Sequence, residues 1–173
     1  MSRFLTHKIR WIFLPIGAYT LVAVFYALFF PFPAKDGGLF LDIASTISTN
    51  GFRPPTIIEG YTPSGVPFAY PPLMFYVIAV LLKITPFSGV EIAWLLPILS
   101  TGAVVVASYY LGLELLGTRK DSAIAATIVG TWPEVIRMNL AAGGMVRAPA
   151  LLFTVVGSVV ALRLFRTNEW SYT

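Results

Sequence analysis

The chain has 173 residues, 57% of them hydrophobic and only 12% charged, with a formal net charge of +4. A soluble globular domain carries about 25% charged residues, so this composition excludes an ordinary soluble surface and points to a lipid-facing one. Twelve basic residues and a pI near 9.5 do not make a nucleic-acid binder, because the basic residues punctuate apolar runs instead of lining one polar face.

Cysteine is absent, so the chain has no disulfide framework, thiol nucleophile or cysteine-ligated metal. The single histidine, His7, lies in the basic N-terminal flank and reads as a solvated residue. An imidazole-based metal site or a Ser/His/Asp triad within the chain is nearly excluded.

In chain order, the first apolar run is Trp11 to Phe30, about twenty residues without a charge. That length crosses a hydrocarbon core of about 30 Å as a helix. Arg3, Lys8 and Arg10 precede it and place the N-terminus in the cytoplasm. The run is longer than a signal-peptide core and lacks a small-x-small site after it, so a retained anchor is expected.

Residues 31–89 read as a long loop on the far side of the membrane. Seven prolines between Pro31 and Pro71 argue against a continuous span there. Within it, Leu39, Ile43 and Ile47 recur at helical spacing opposite Asp42, Ser45 and Ser48. This predicts an interfacial helix over 38–50 that stops at Asn50-Gly51. Pro72 to Leu82 is wholly apolar but reaches only about 18 Å as a helix. It is expected to lie at the interface.

Three further spans are expected at about 92–113, 122–140 and 147–165, followed by a C-terminal tail at 167–173. The basic residues favour this four-span arrangement. With four spans, seven lie inside (Arg3, Lys8, Arg10, Arg119, Lys120, Arg163, Arg166) and five outside (Lys35, Arg53, Lys83, Arg137, Arg147). If 72–82 also spans, the division is six to six. The predicted fold is therefore all-α: one multi-pass transmembrane bundle over 1–166, with juxtamembrane helices on the first external loop.

Three stretches in that loop carry a resemblance. They are Asp36-Gly37-Gly38-Leu39-Phe40-Leu41-Asp42-Ile43-Ala44, then Asn50-Gly51-Phe52-Arg53-Pro54-Pro55, then Phe68-Ala69-Tyr70-Pro71-Pro72-Leu73-Met74-Phe75-Tyr76. In order and spacing they resemble the first external loop of GT-C membrane glycosyltransferases, such as protein O-mannosyltransferases and aminoarabinose transferase-like enzymes. Tyr109-Tyr110-Leu111-Gly112 and Leu116-Gly117-Thr118-Arg119-Lys120 resemble the next helix of that family and its cytoplasmic end. The resemblance covers only the N-terminal portion of such an enzyme, which has many more helices. It implies an incomplete product, a module completed by a further polypeptide, or a non-catalytic membrane subunit or scaffold.

The resemblance implies transfer of a sugar from a polyprenyl-phosphate carrier to an acceptor outside the cytoplasm. Asp36 matches the family's first-loop acidic position, where a carboxylate takes the acceptor proton or orients the nucleophile. On sequence alone Asp36 equally fits a helix N-cap followed by a Gly37-Gly38 turn. Asp42 reads as a solvated residue.

A second far-side loop holds Glu134, Arg137, Asn139 and Arg147. Glu134 is a second carboxylate for acceptor binding or for a divalent metal. Arg137 and Arg147 offer guanidinium forks for the carrier phosphate. The alternative is a Glu134–Arg137 pair at i, i+3. The group's familiar second acidic motif is not cleanly present. Tyr61, Phe68, Tyr70, Trp94 and Trp132 read as interface and packing residues rather than sugar platforms.

Overall fold

A computed structural model describes residues 10–30, 36–60, 62–141 and 144–167. Arg3, His7, Lys8, Pro31, Lys35, Tyr61 and the tail from 168 onward, all used above, lie outside the described residues.

The described chain is mostly helical. A 3-10 turn at Arg10–Ile12 leads into α1 (Phe13–Phe29), followed by α2 (Gly37–Thr49), α3 (Leu73–Ile84), α4 (Gly89–Leu116), α5 (Arg119–Thr131), the short α6 (Pro133–Ile136) and α7 (Gly144–Thr167). Between α6 and α7 the residues Arg137–Ala141 form a π-helical turn. The all-α expectation needs one small amendment: β1 (Ile57–Ile58) and β2 (Val66–Pro67) pair antiparallel within the first loop.

Two helices, Gly89–Leu116 and Gly144–Arg166, are long and apolar enough to cross a membrane; Phe13–Phe29 and Leu73–Ile84 are shorter apolar helices. The helix ends follow local chemistry. Ser88 and Glu91 form a reciprocal capping box that starts α4 ahead of the expected 92. Gly117 closes it in the left-handed conformation, which costs glycine nothing. One residue on, Thr118 caps α5 by accepting from the Asp121 backbone N–H.

The helix expected over 122–140 is not continuous. Trp132 is forced extended ahead of Pro133, so α5 stops at Thr131 and the chain restarts as α6 and the π turn.

α4 is the central helix. α1 and α5 run antiparallel to it: Tyr19 donates its hydroxyl hydrogen to the Ile98 carbonyl at 2.7 Å, and Gly112 and Gly130 of the α4–α5 contact lie against Ser122 and Val105. A Cβ on Gly112 would stand 3.0 Å from Ser122 Cα, so glycine sets how closely these two helices approach. α7 runs parallel to α4, with Gly144 near Pro97 at one end and Arg163 on Glu114 at the other.

The loop helices form their own packed unit on one end of this bundle. Phe40, Ile43, Ala44 and Ile47 of α2 are buried against Phe75, Ile78 and Ala79 of α3, joined by Ile92 and Ala93 of α4 and Met145 of α7. The predicted apolar face of α2 is thus packed into a core in this structure, with Asp42 exposed on the other side. Each of the large side chains here contributes about 1.5–3 kcal/mol by leaving water.

Candidate functional site

The site residues lie at the end of the bundle where α2 and α3 dock. Asp36 immediately precedes α2, and Arg147 lies in the first turn of α7. They are 111 positions apart in sequence. Met145, 1% exposed, is buried in the α2–α3 core, so the start of α7 is held beside the start of α2. Arg147 Nη2 then stands 4.0 Å from Asp36 Oδ2, with both side chains roughly half-exposed.

Asp36 occupies the N-cap position of α2 without acting as a cap. Its backbone is already helical, at φ −74° and ψ −3°, and its carboxylate makes no capping hydrogen bond. Capping side chains usually leave from an extended backbone, from which they reach back to the first free N–H groups. The carboxylate is therefore left to Arg147 and solvent. At 4.0 Å and half-exposed, this ion pair is loose and contributes little to stability.

Glu134 and Arg137 form the i, i+3 pair that the sequence left open. Arg137 Nε donates to Glu134 Oε2 at 2.8 Å and Nη2 to Oε1 at 2.5 Å, a two-point fork on an exposed surface. Met138 links the two arginines: its sulfur is 3.6 Å from Arg137 Nη2 and 3.9 Å from Arg147 Nη1. The four predicted residues thus form one chain of contacts, Glu134–Arg137–Met138–Arg147–Asp36, carrying two cations and two carboxylates.

Sequence reasoning missed Met138, because a thioether between two guanidinium groups leaves no signal in spacing. It named Asn139 without seeing that the side chain is 5% exposed on the π turn. It also missed Glu114. That carboxylate, 18% exposed in the last turns of α4, receives Arg163 Nε at 2.7 Å and Arg166 Nη1 at 3.1 Å, while Arg166 Nη2 donates to the Glu114 backbone carbonyl. The signal was present as a lone acid near the end of an apolar helix, with two arginines spaced i, i+3 in α7.

Among the described residues no three acidic or imidazole side chains converge, and both oxygens of Glu134 are engaged by Arg137. Of the aromatic residues, Phe68 and Tyr70 pack edge-on against Phe75, and Trp94 lies 6.1 Å from the Tyr26 ring, contacts in keeping with packing. Comparison of the chain with protein-family models, with curated proteins and with solved structures yields no match.

Proposed function

We propose that the chain is the N-terminal module of a multi-pass membrane glycosyltransferase, moving a sugar from a polyprenyl-phosphate carrier to an acceptor on the non-cytoplasmic side. The observation that carries this reading is the Asp36–Arg147 pair: a carboxylate not spent on capping, beside a guanidinium, at the docking face of the loop helices. The order of the first-loop motifs supports it.

The membrane setting is supported by the two long apolar helices and by exposed apolar side chains such as Leu21, Leu28, Phe153 and Phe165. In this reading α1, α4, α5 with its extension, and α7 are the four spans. The N-terminus is cytoplasmic, and residues 31–89 and the α5–α7 connection face outward.

The chemistry follows from the groups present. The acceptor O–H or N–H gives its proton to Asp36 as its heteroatom bonds to the anomeric carbon. The bond from that carbon to the phosphate oxygen breaks, and its electrons leave with the polyprenyl phosphate. Arg147 and Arg137 offset the phosphate charge.

A second reading is a non-catalytic membrane subunit or scaffold. The Glu134–Arg137 fork favours it, since a paired acid and base serve as well to tie a turn together.

Transfer from a radiolabelled polyprenyl-phosphate sugar, measured with the chain and any completing polypeptide in membranes, tests the proposal. Asp36→Asn is expected to keep insertion and carrier binding but lower transfer by on the order of 10²–10⁴. Near-normal transfer by that variant removes Asp36 from the mechanism. Absence of transfer with the native chain supports the scaffold.

A further inference from the structure

Two apolar grooves run alongside α1, and they differ at their ends. One, of about 440 Å³, lies between α1 and α4 and is lined by residues such as Ile16, Ala23, Leu99 and Val106, with no charged side chain. The other, of about 410 Å³, lies between α1 and the turn after α5. Val22, Phe25, Tyr26 and Phe30 form one wall, Thr131, Pro133 and Ile136 the other, and Arg137 also lines it. The Tyr26 and Phe30 rings stack at 4.9 Å, which makes the α1 wall a continuous aromatic surface.

A groove that is apolar along its length and carries a guanidinium is shaped for an anionic amphiphile. We infer that this second groove seats the hydrocarbon chain of the lipid-phosphate donor, with Arg137 on the phosphate. The inference deepens the proposed function and rests on it for the identity of the lipid.

The geometry at Arg137 suits this role. A guanidinium has five N–H donors, and the bonds to Glu134 use Nε and Nη2; Nη1 is not engaged by them. Glu134 holds the plane of the fork in place, so little side-chain freedom is lost on binding. A phosphate on Arg137 would lie one methionine away from Arg147, and Arg147 faces Asp36. The uncharged groove beside α4 provides no counterpart for a phosphate.

The test uses the full chain in phosphatidylcholine nanodiscs and a polyprenyl monophosphate with a diazirine on its chain. Photolabelling is expected on α1 around Phe25 and Phe30 and on residues 131–137. Val22→Trp, which fills the groove, is expected to lower labelling roughly fivefold, and Thr131→Trp repeats this from an exposed position on the opposite wall should Val22→Trp not fold. Glu134→Gln with Arg137→Gln removes the cation without stranding a carboxylate and is expected to weaken phosphate binding about tenfold while leaving the neutral polyprenol unaffected.

Labelling spread evenly over outward residues such as Phe153 and Val160, or unchanged by both tryptophan variants, overturns the inference. So does equal competition by phosphatidylglycerol, which marks an ordinary headgroup contact. Binding needs no turnover, so the two ideas fail separately. Groove labelling with transfer unaffected by Asp36→Asn removes the catalytic reading alone. Asp36-dependent transfer with labelling insensitive to the groove variants removes the groove alone.

Discussion

The backbone of Asp36 is helical one residue before α2 begins, and this separates two roles that the sequence leaves superimposed. A capping aspartate replaced by alanine costs about 1 kcal/mol. With no cap hydrogen bond to lose, Asp36→Ala is expected to change unfolding stability by no more than about 0.5 kcal/mol. Denaturant titration in detergent micelles checks this, and a loss near the capping value would return Asp36 to a structural role. Gly144 is constrained in the opposite way. A Cβ built there would overlap the Asn139 carbonyl and stand 3.1 Å from Pro97 Cβ. Gly144→Ala is therefore expected to cost roughly 1–3 kcal/mol and to disturb the π turn that carries Met138. Its measure is the same titration, together with loss of photolabelling at residues 131–137. Neither effect is legible in sequence: one depends on the backbone torsions at Asp36, the other on how the π turn folds back over Gly144 and on where Pro97 of α4 is brought.

Among the elements, α7 is the one whose attachment is least expected from its composition. Its outer side chains Phe153, Val156 and Val160 are exposed. At one end Met145 is sunk in the α2–α3 core; at the other Arg163 and Arg166 hold Glu114 of α4. Glu114→Gln removes the charge from the partly buried member and is expected to destabilise the bundle by roughly 1–3 kcal/mol. Single cysteines at Ser158 and Val106 would report whether α7 stays in place by the rate of their modification. An unchanged midpoint and unchanged rates would show that the ion pairs are incidental.

Helices near 11–30, 38–50 and 72–82 were legible because apolar spacing and proline positions are local properties. The starts expected at 92 and 122 fall later than the observed Gly89 and Arg119 because Ser88, Glu91, Arg119 and Asp121 are polar. They read as loop residues, yet three of them, Glu91, Arg119 and Asp121, sit in the first turns of capped helices, and Ser88 is itself a cap. The sequence becomes less regular at Trp132-Pro133, but the residues after it are still helix formers, which hides the break.

For the molecule as a whole, the proposed four-span topology puts Ser64 and Thr85 on the outer side and Thr118 in the cytoplasm. Thr118 caps α5 at the bundle end opposite the docked loop helices, an arrangement in keeping with that proposal. Cysteines introduced singly at these positions into the cysteine-free chain are expected to react with an impermeant thiol reagent at 64 and 85, but not at 118, in intact cells. Protection at 85 with labelling at 118 would mean that α3 crosses, giving five spans.

The sequence by itself determined the helical class, the apolar segments and most helix ends, because chain length against bilayer thickness, proline geometry and capping act within a few residues. It also named the four charged residues of the candidate site. The Glu134–Arg137 pair is local, at the i, i+3 spacing the sequence already offers. The meeting of Asp36 and Arg147 was decided only by the tertiary structure: they come together because Met145 is buried in one core with Phe40, Ile43 and Phe75. Packing of this kind depends on side-chain shape across three or four segments at once, and no local pattern records it.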